Sequence, residues 1–228
     1  MQHNSNMTQH NNRARAAVLD ICGTLAPVDS WLALTRDMGG SVERHLEIFH
    51  TYRDGQITYE ESRVQLIGLW RATGHANRAD MTEIFRSWPL EVAAAPLVDD
   101  LRARGWQPVI ITGAVDLYAQ VVAERLGVSD WYANTALEFD ADGQLVTYHY
   151  ILDQSAEKVR QLAEFCQRRG LEAGAALAIG DGPNDLGLFQ ATGRGILLDT
   201  PQGTDALKAA AWRTVARLGD VTPLLAEA

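Results

Sequence analysis

Four short apolar runs, each stopping at a small or acidic residue, constrain this 228-residue chain more than any other feature. They are ARAAVLDI from Ala14 to Ile21, PVII from Pro108 to Ile111 before Thr112 and Gly113, ALAI from Ala176 to Ile179 before Gly180 and Asp181, and GILL from Gly195 to Leu198 before Asp199. None alternates strictly, which is the pattern of strands covered on both faces in a parallel sheet. Between them lie amphipathic segments of helical length, Pro96 to Arg104, Asp116 to Leu126 and Gln154 to Arg169, followed by glycine stops at Gly105, Gly127 and Gly170. Strand, helix, strand in repetition predicts right-handed crossovers and an α/β, doubly wound parallel sheet. Ligands in such sheets collect beyond the carboxyl ends of the strands, where Asp20, Thr112 and Asp181 are expected to converge.

Two stretches break the alternation. Residues 28–89 read as wholly helical (Trp31 to Met38, Val42 to Tyr52, Thr58 to Thr73, Met81 to Trp88), split by Gly39-Gly40, Asp54-Gly55 and Gly74. A helical block inserted after the first strand's loop predicts a small cap over the strand ends, with 14–27 and 90–228 as the core. Trp31, Trp70 and Trp88 are expected to pack its interior. From Trp131 to Tyr150, Asp142-Gly143 sits between LEF and LVTYHY and predicts a β-hairpin. Residues 1–13 are polar and read as a disordered leader, with Met7 an alternative start and His3 and His10 as solvated side chains rather than a metal site.

Composition narrows the function classes. Twenty Lys and Arg against 29 Asp and Glu give a formal charge of -9, so there is no general attraction to nucleic acid or anionic lipid. Residues 1–12 are expected to serve as neither a membrane span nor a signal-peptide core, because they hold no apolar stretch. Two cysteines, Cys22 and Cys166, support neither a disulfide scaffold nor a structural zinc site, and a reducing, cytoplasmic setting is expected. Oligomeric state is not readable from these features.

Carboxylates gathered at strand ends are costly unless a cation or a shared proton joins them. Asp20, Asp181 and Asp185 form such a set, and three carboxylates with backbone oxygens and water suit Mg2+. For Asp185 the alternative is a cap or first-turn acid of the following helix. Gly23 and Thr24 just past Asp20, and Thr112 with Gly113 at the expected start of a helix, offer backbone N–H groups and hydroxyls that can hold a tetrahedral anion. Lys158, near the start of the helix after the hairpin, can supply a positive charge, although a lone helical lysine is ordinarily at the surface.

In this order the motifs VLDICGTL, VIITGA, SAEKV and AIGDGPNDLGLF resemble the haloacid dehalogenase (HAD) superfamily, and within it the branch similar to phosphoserine phosphatase. The resemblance runs from about Val18 to Asp199. It implies a Rossmann-like core with a helical cap and a Mg2+-dependent phosphatase of small phosphorylated metabolites. By that resemblance Asp20 is the nucleophile, forming an aspartyl-phosphate. The metal is held by Asp20, the backbone oxygen of Cys22, Asp181 and Asp185. Thr112 and Lys158 meet the phosphoryl group, with Gly23, Thr24, Gly113 and Asn184 around it.

The chain departs from the resemblance at Cys22, where phosphatases of this superfamily usually carry a second Asp as general acid and base. Losing such a group costs roughly 10²- to 10⁴-fold. An ester with a good leaving group, a slow phosphate-binding or regulatory protein, and other chemistry such as dehalogenation or phosphotransfer all fit a thiol there. Asp29, nine positions after Asp20, and Arg63 in the helical block stand near where that branch holds an amino acid's charged groups. Asp29 also reads as an N-cap and Arg63 as a solvated side chain.

Overall fold

The computed structural model describes residues 15–228, so the leader with His3, His10 and Met7 lies outside the described residues. The first run forms β1 (Arg15–Leu19), and four helices follow: α1 (Ser30–Asp37), α2 (Val42–Arg53), α3 (Tyr59–Arg71) and α4 (Arg78–Ser87). The chain continues through α5 (Ala94–Ala103), β2 (Trp106–Val115), α6 (Asp116–Leu126), the hairpin β3 (Trp131–Phe139) and β4 (Leu145–Tyr150), and α7 (Gln154–Arg169). It ends with β5 (Leu177–Gly180), α8 (Leu186–Thr192), β6 (Gly195–Leu198), α9 (Asp205–Ala210), β7 (Ala211–Val215) and α10 (Val221–Leu224).

The strands make one sheet in the order β4-β3-β2-β1-β5-β6-β7. Every pairing is parallel except the β3–β4 hairpin. This is the expected α/β, Rossmann-like architecture. Because side chains alternate along a strand, Ala17, Leu19 and Ile110 enter a core under α5 and α6, while Ala16, Val18 and Ile111 meet Leu162, Phe165, Cys166 and Phe189 on the opposite face. Both β1 faces are fully buried, which explains the unbroken apolar run.

The helical segments of 28–89 form where the pattern places them, each opened by a side-chain cap: Asp29, Ser41, Thr58 and Asn77 accept from the first-turn N–H groups. At Thr58 the cap is reciprocal, with Glu61 accepting from the Thr58 N–H. α3 also covers the sheet's edge. Arg71 donates to the carbonyls of Leu145 (2.9 Å) and Val146 (3.2 Å), Arg63 to that of Tyr148 (3.3 Å), and the Tyr150 N–H to the Tyr59 hydroxyl (3.3 Å). The open side of β4 is thereby satisfied, as a strand edge must be to resist pairing with another chain.

The structure corrects one expectation. Thr112 and Gly113 do not open a helix: they lie inside β2, which pairs on through Thr112↔Ala133, slips register, and resumes at Val115↔Thr135 before α6 begins at Asp116. Pairing with β3 extends the strand past its apolar run. Trp88 packs the block's interior as expected, 5.0 Å from the Phe85 ring and donating to Asp37 at 2.7 Å, and also reaches the core, with its ring 4.9 Å from that of Tyr118 in α6. β7 has no counterpart in the sequence reading. Among the described residues no helix is long and apolar enough to cross a membrane.

Candidate active site

Parallel pairing of β1 with β5 sets the site. The Asp20 N–H donates to the Ile179 carbonyl at 3.0 Å, prolonging the ladder by one step, so Asp20 and Asp181 leave adjacent strands side by side. After Asp181 the chain makes a single 3-10 turn, Pro183–Asp185, which folds the Asp185 carboxylate back on the loop. Its Oδ2 accepts from the N–H groups of Asp181 (3.1 Å) and Gly182 (3.2 Å), and its Oδ1 from Lys158 Nζ at 2.6 Å. Lys158 is fully buried, and its Nζ also lies 3.1 Å from Asp20 Oδ1. It is therefore no surface residue. Asp20, Asp181 and Asp185 each bring a carboxylate oxygen within 4.8 Å of the others.

Three buried carboxylates against one lysine leave an excess of negative charge in a region of low dielectric, and the titration behaviour follows. Burial pulls the Lys158 pKa down, but Asp185 and Asp20 outweigh it and the net direction is up: the ammonium stays charged. Asp181 is pushed up to about 7, first by burial and then by the charge of Asp20, against the Thr200 hydroxyl that donates to its Oδ2 at 2.9 Å.

A divalent cation fits these residues. The donors are hard oxygens of the kind magnesium takes, and Asp20 Oδ1, although buried, has no aligned hydrogen bond. The backbone is shaped around the same point. Gly23 has φ +73°, and a Cβ on it would fall 2.1 Å from Asp181 Oδ2, so both conformation and space require glycine.

The remaining expected residues divide. Thr24 is fully buried, with its hydroxyl 3.5 Å from Asp181 Oδ1. Thr112, also fully buried, accepts from the Ala114 N–H at 3.2 Å. Gly113 faces Asn184, whose Nδ2 would lie 2.9 Å from a Cβ there. Cys22 is half-buried and donates to Ser30 Oγ at 3.2 Å. Burial, and then the Asp20 charge, push its thiol up to about 12 despite that bond.

Asp29 and Arg63 are not drawn into this cluster by any bond. The Asp29 carboxylate caps α1, accepting from Trp31 (3.2 Å) and Leu32 (3.3 Å), and Arg63 pairs with both Glu60 oxygens at 2.5 and 2.7 Å. Sequence reasoning missed Ser30 and Thr200. Thr200 follows a strand end as Asp181 does, so it left a signal that could have been followed.

A doubly wound sheet carrying buried carboxylates and a lysine at its strand ends defines the class, and the chain belongs to the haloacid dehalogenase-like hydrolase family, whose model matches residues 17–190. It is similar to the phosphoserine phosphatase of Streptomyces coelicolor, at 30% identity over 193 residues covering 82% of this chain and 44% of that protein. It is also similar to the phosphoserine phosphatase of Albidiferax ferrireducens, at 30% identity over 146 residues covering 61% of this chain and 60% of that protein. The chain thus spans about half the length of these relatives. Among solved structures, a phospho-aspartyl intermediate analogue of phosphoserine phosphatase superposes with a TM-score of 0.72 at 20% identity, over 94% of this chain and 98% of that one. That likeness concerns the fold.

Proposed function

We propose that the chain is a magnesium-dependent phosphomonoesterase of small metabolites, working in a cytoplasmic setting through an aspartyl-phosphate. The observation that supports it is the buried cluster of Asp20, Asp181, Asp185 and Lys158 at the ends of β1 and β5. An Asp20 oxygen attacks phosphorus as the bond to the alcohol oxygen breaks, and the alkoxide leaves by taking a proton from solvent. Water then attacks the phosphoryl group and gives up a proton to solvent, the Asp20–phosphorus bond breaks, the carboxylate is restored and inorganic phosphate is released. Lys158 holds the Asp20 oxygen and offsets phosphoryl charge from a position fixed by Asp185. Thr112, Gly113 and Asn184, with Gly23 and Thr24, surround the phosphoryl group. Asp20, Asp181, Asp185 and the backbone oxygen of Cys22 would hold the cation, which when bound supplies electrostatic neutralisation of the phosphoryl oxygens. Nucleic acid and membrane are not partners in this reading.

The protonated, Ser30-bound thiol of Cys22 favours a second reading, a phosphate-binding or regulatory protein with slow turnover. Phosphate release from aryl and alkyl phosphate esters, with magnesium and with a chelator, separates the two. Magnesium-dependent release carries the first reading. Retained magnesium binding with no release from either ester class rejects it in favour of the second.

A further inference from the structure

Asp181 is the odd member of the acidic cluster. Lys158 pairs with Asp20 at 3.1 Å and with Asp185 at 2.6 Å, whereas among the described residues Asp181 forms no ion pair. It is 5% exposed, so bulk water offers it little. What it meets instead are two hydroxyls. Thr200 Oγ1 donates to its Oδ2 at 2.9 Å, while Thr24 Oγ1 stands 3.5 Å from its Oδ1, longer than a well-made O–H···O bond.

The sheet brings Thr200 to that place. β6 runs parallel to β5 with Leu197 opposite Gly180, so the loop after β6 leaves the sheet beside the loop that carries Asp181. The Thr200 backbone is held at both ends: its N–H donates to the Leu198 carbonyl at 3.0 Å, and its carbonyl accepts from the Gly203 N–H at 3.0 Å. The hydroxyl is held as well. It accepts from the Gln202 N–H at 3.2 Å, and because a hydroxyl has a single proton, that proton is the one given to Asp181. A local turn accounts for the bond from Gln202. It does not account for a bond to a carboxylate 19 positions away. Gly23 crowds the same oxygen, since a Cβ there would fall 2.1 Å from Asp181 Oδ2. Rotation of the carboxylate would therefore break the bond from Thr200.

We infer that Thr200 is a positioning residue for the divalent cation: donating to Oδ2 from a fixed loop, it holds the Asp181 carboxylate in the orientation in which it joins Asp20 and Asp185. Thr200 lies outside the four motifs and outside the family match of residues 17–190. The inference rests on the magnesium-binding part of the phosphatase reading. A carboxylate already held by a hydrogen bond need not be ordered when the cation arrives, and loss of such a partner typically weakens metal binding by roughly 10- to 100-fold.

The test is calorimetric titration of the metal-free protein with magnesium. Thr200→Val, which has nearly the same shape but no proton to give, should weaken magnesium binding by roughly 10- to 100-fold. Thr200→Ser keeps the proton and should bind within about three-fold of the wild-type protein. Thr200→Ala repeats the measurement without a branched side chain if valine is not accommodated. In phosphate release from an aryl phosphate, the magnesium concentration that gives half the maximal rate should rise in Thr200→Val in parallel with the calorimetric loss. A residue that only shapes its turn would lower the stability of the metal-free protein and leave the magnesium affinity of the folded protein unaltered, and that result overturns the inference. A loss in Thr200→Ser as large as that in Thr200→Val overturns it too. Calorimetry also separates its failure from that of the phosphatase reading. A wild-type protein that binds magnesium without releasing phosphate rejects the phosphatase while the Thr200 variants still decide the inference, whereas a wild-type protein that binds no magnesium rejects both.

Discussion

Asp20 and Cys22 stand two residues apart and behave in opposite ways. Asp20 turns an underbonded oxygen toward Lys158 in a buried site, and Cys22 keeps its proton and donates a hydrogen bond through it to Ser30 Oγ. Asp20→Asn should reduce phosphate release by at least about 10³-fold, because the covalent route loses its nucleophile. An unchanged rate would reject that route. If turnover is limited by the missing acid, Cys22→Asp should raise hydrolysis of alkyl esters by roughly 10-fold or more while changing aryl esters little. Initial rates on the two ester classes read this directly, and no difference between them would show that the thiol does not stand where an acid is needed. Lys158→Met acts on stability as well. It strips the partner from buried Asp185 and Asp20, and breaking a buried pair costs on the order of 3–5 kcal/mol. Urea unfolding should show that loss in the metal-free protein and recover part of it when magnesium is added.

At the scale of elements, helices that carry their own caps and stops were the most legible. Asp116–Leu126 and Gln154–Arg169 begin and end where sequence pattern puts them, because Gly127 and Gly170 adopt the left-handed conformation that ends a helix. β2 was read short because its last residues are held by pairing to β3, a contact remote in sequence, and β7 was not read because its AWRTV is half exposed and shows no apolar run. The acidic cluster was legible, since strand ends converge by topology. Asp29 takes the N-cap its place before α1 allowed, whereas the pairing of Arg63 with Glu60 was not legible, because it turns on which local partner the side chain takes.

Local partners also create a pH response in the helical block. Buried His45 shares a 2.7 Å hydrogen bond with Thr35 Oγ1, which accepts from Trp70 Nε1 at 2.7 Å. Burial lowers the His45 pKa, opposed by the charge of Asp29. The unfolded chain then binds the proton more readily, at the ordinary histidine value near ~6.5. The stability His45 contributes is thus present above that pH and is lost as pH falls through the folded value. Thermal unfolding should lose more between pH 7.5 and 5.5 in the wild-type protein than in His45→Gln, and equal losses would show that His45 is not the group responsible.

For the whole molecule, the question is whether residues 28–89 form a separate lid, which we propose as a cap on the core formed by 14–27 and 90–228, or a body welded to that core. The apolar interior runs without interruption from Leu34, Trp70 and Met81 through Phe85 and Trp88 to Tyr118 and the sheet. At the seam the Phe85 and Trp88 rings lie 5.2 and 4.9 Å from that of Tyr118, and Arg125 donates to the Trp88 carbonyl at 2.7 Å. Ring pairs of this kind add about 0.5–1.5 kcal/mol each beyond burial. Swinging α4 away from α6 would forfeit them and wet a fully buried surface, and on the other side α3 is tied to β4 through Arg63, Arg71 and Tyr59. The cap and core should therefore unfold as one cooperative unit. In urea, tryptophan fluorescence of a protein carrying Trp106→Phe, Trp131→Phe and Trp212→Phe, which leaves only the indoles of the helical block, and far-ultraviolet circular dichroism, which reports on the whole chain, should give coincident transitions. Phe85→Ala should lower stability by about 3–5 kcal/mol and move both transitions together. A variant in which fluorescence unfolds first, leaving a folded sheet behind, would show the block to be an independent lid and the seam to be dispensable.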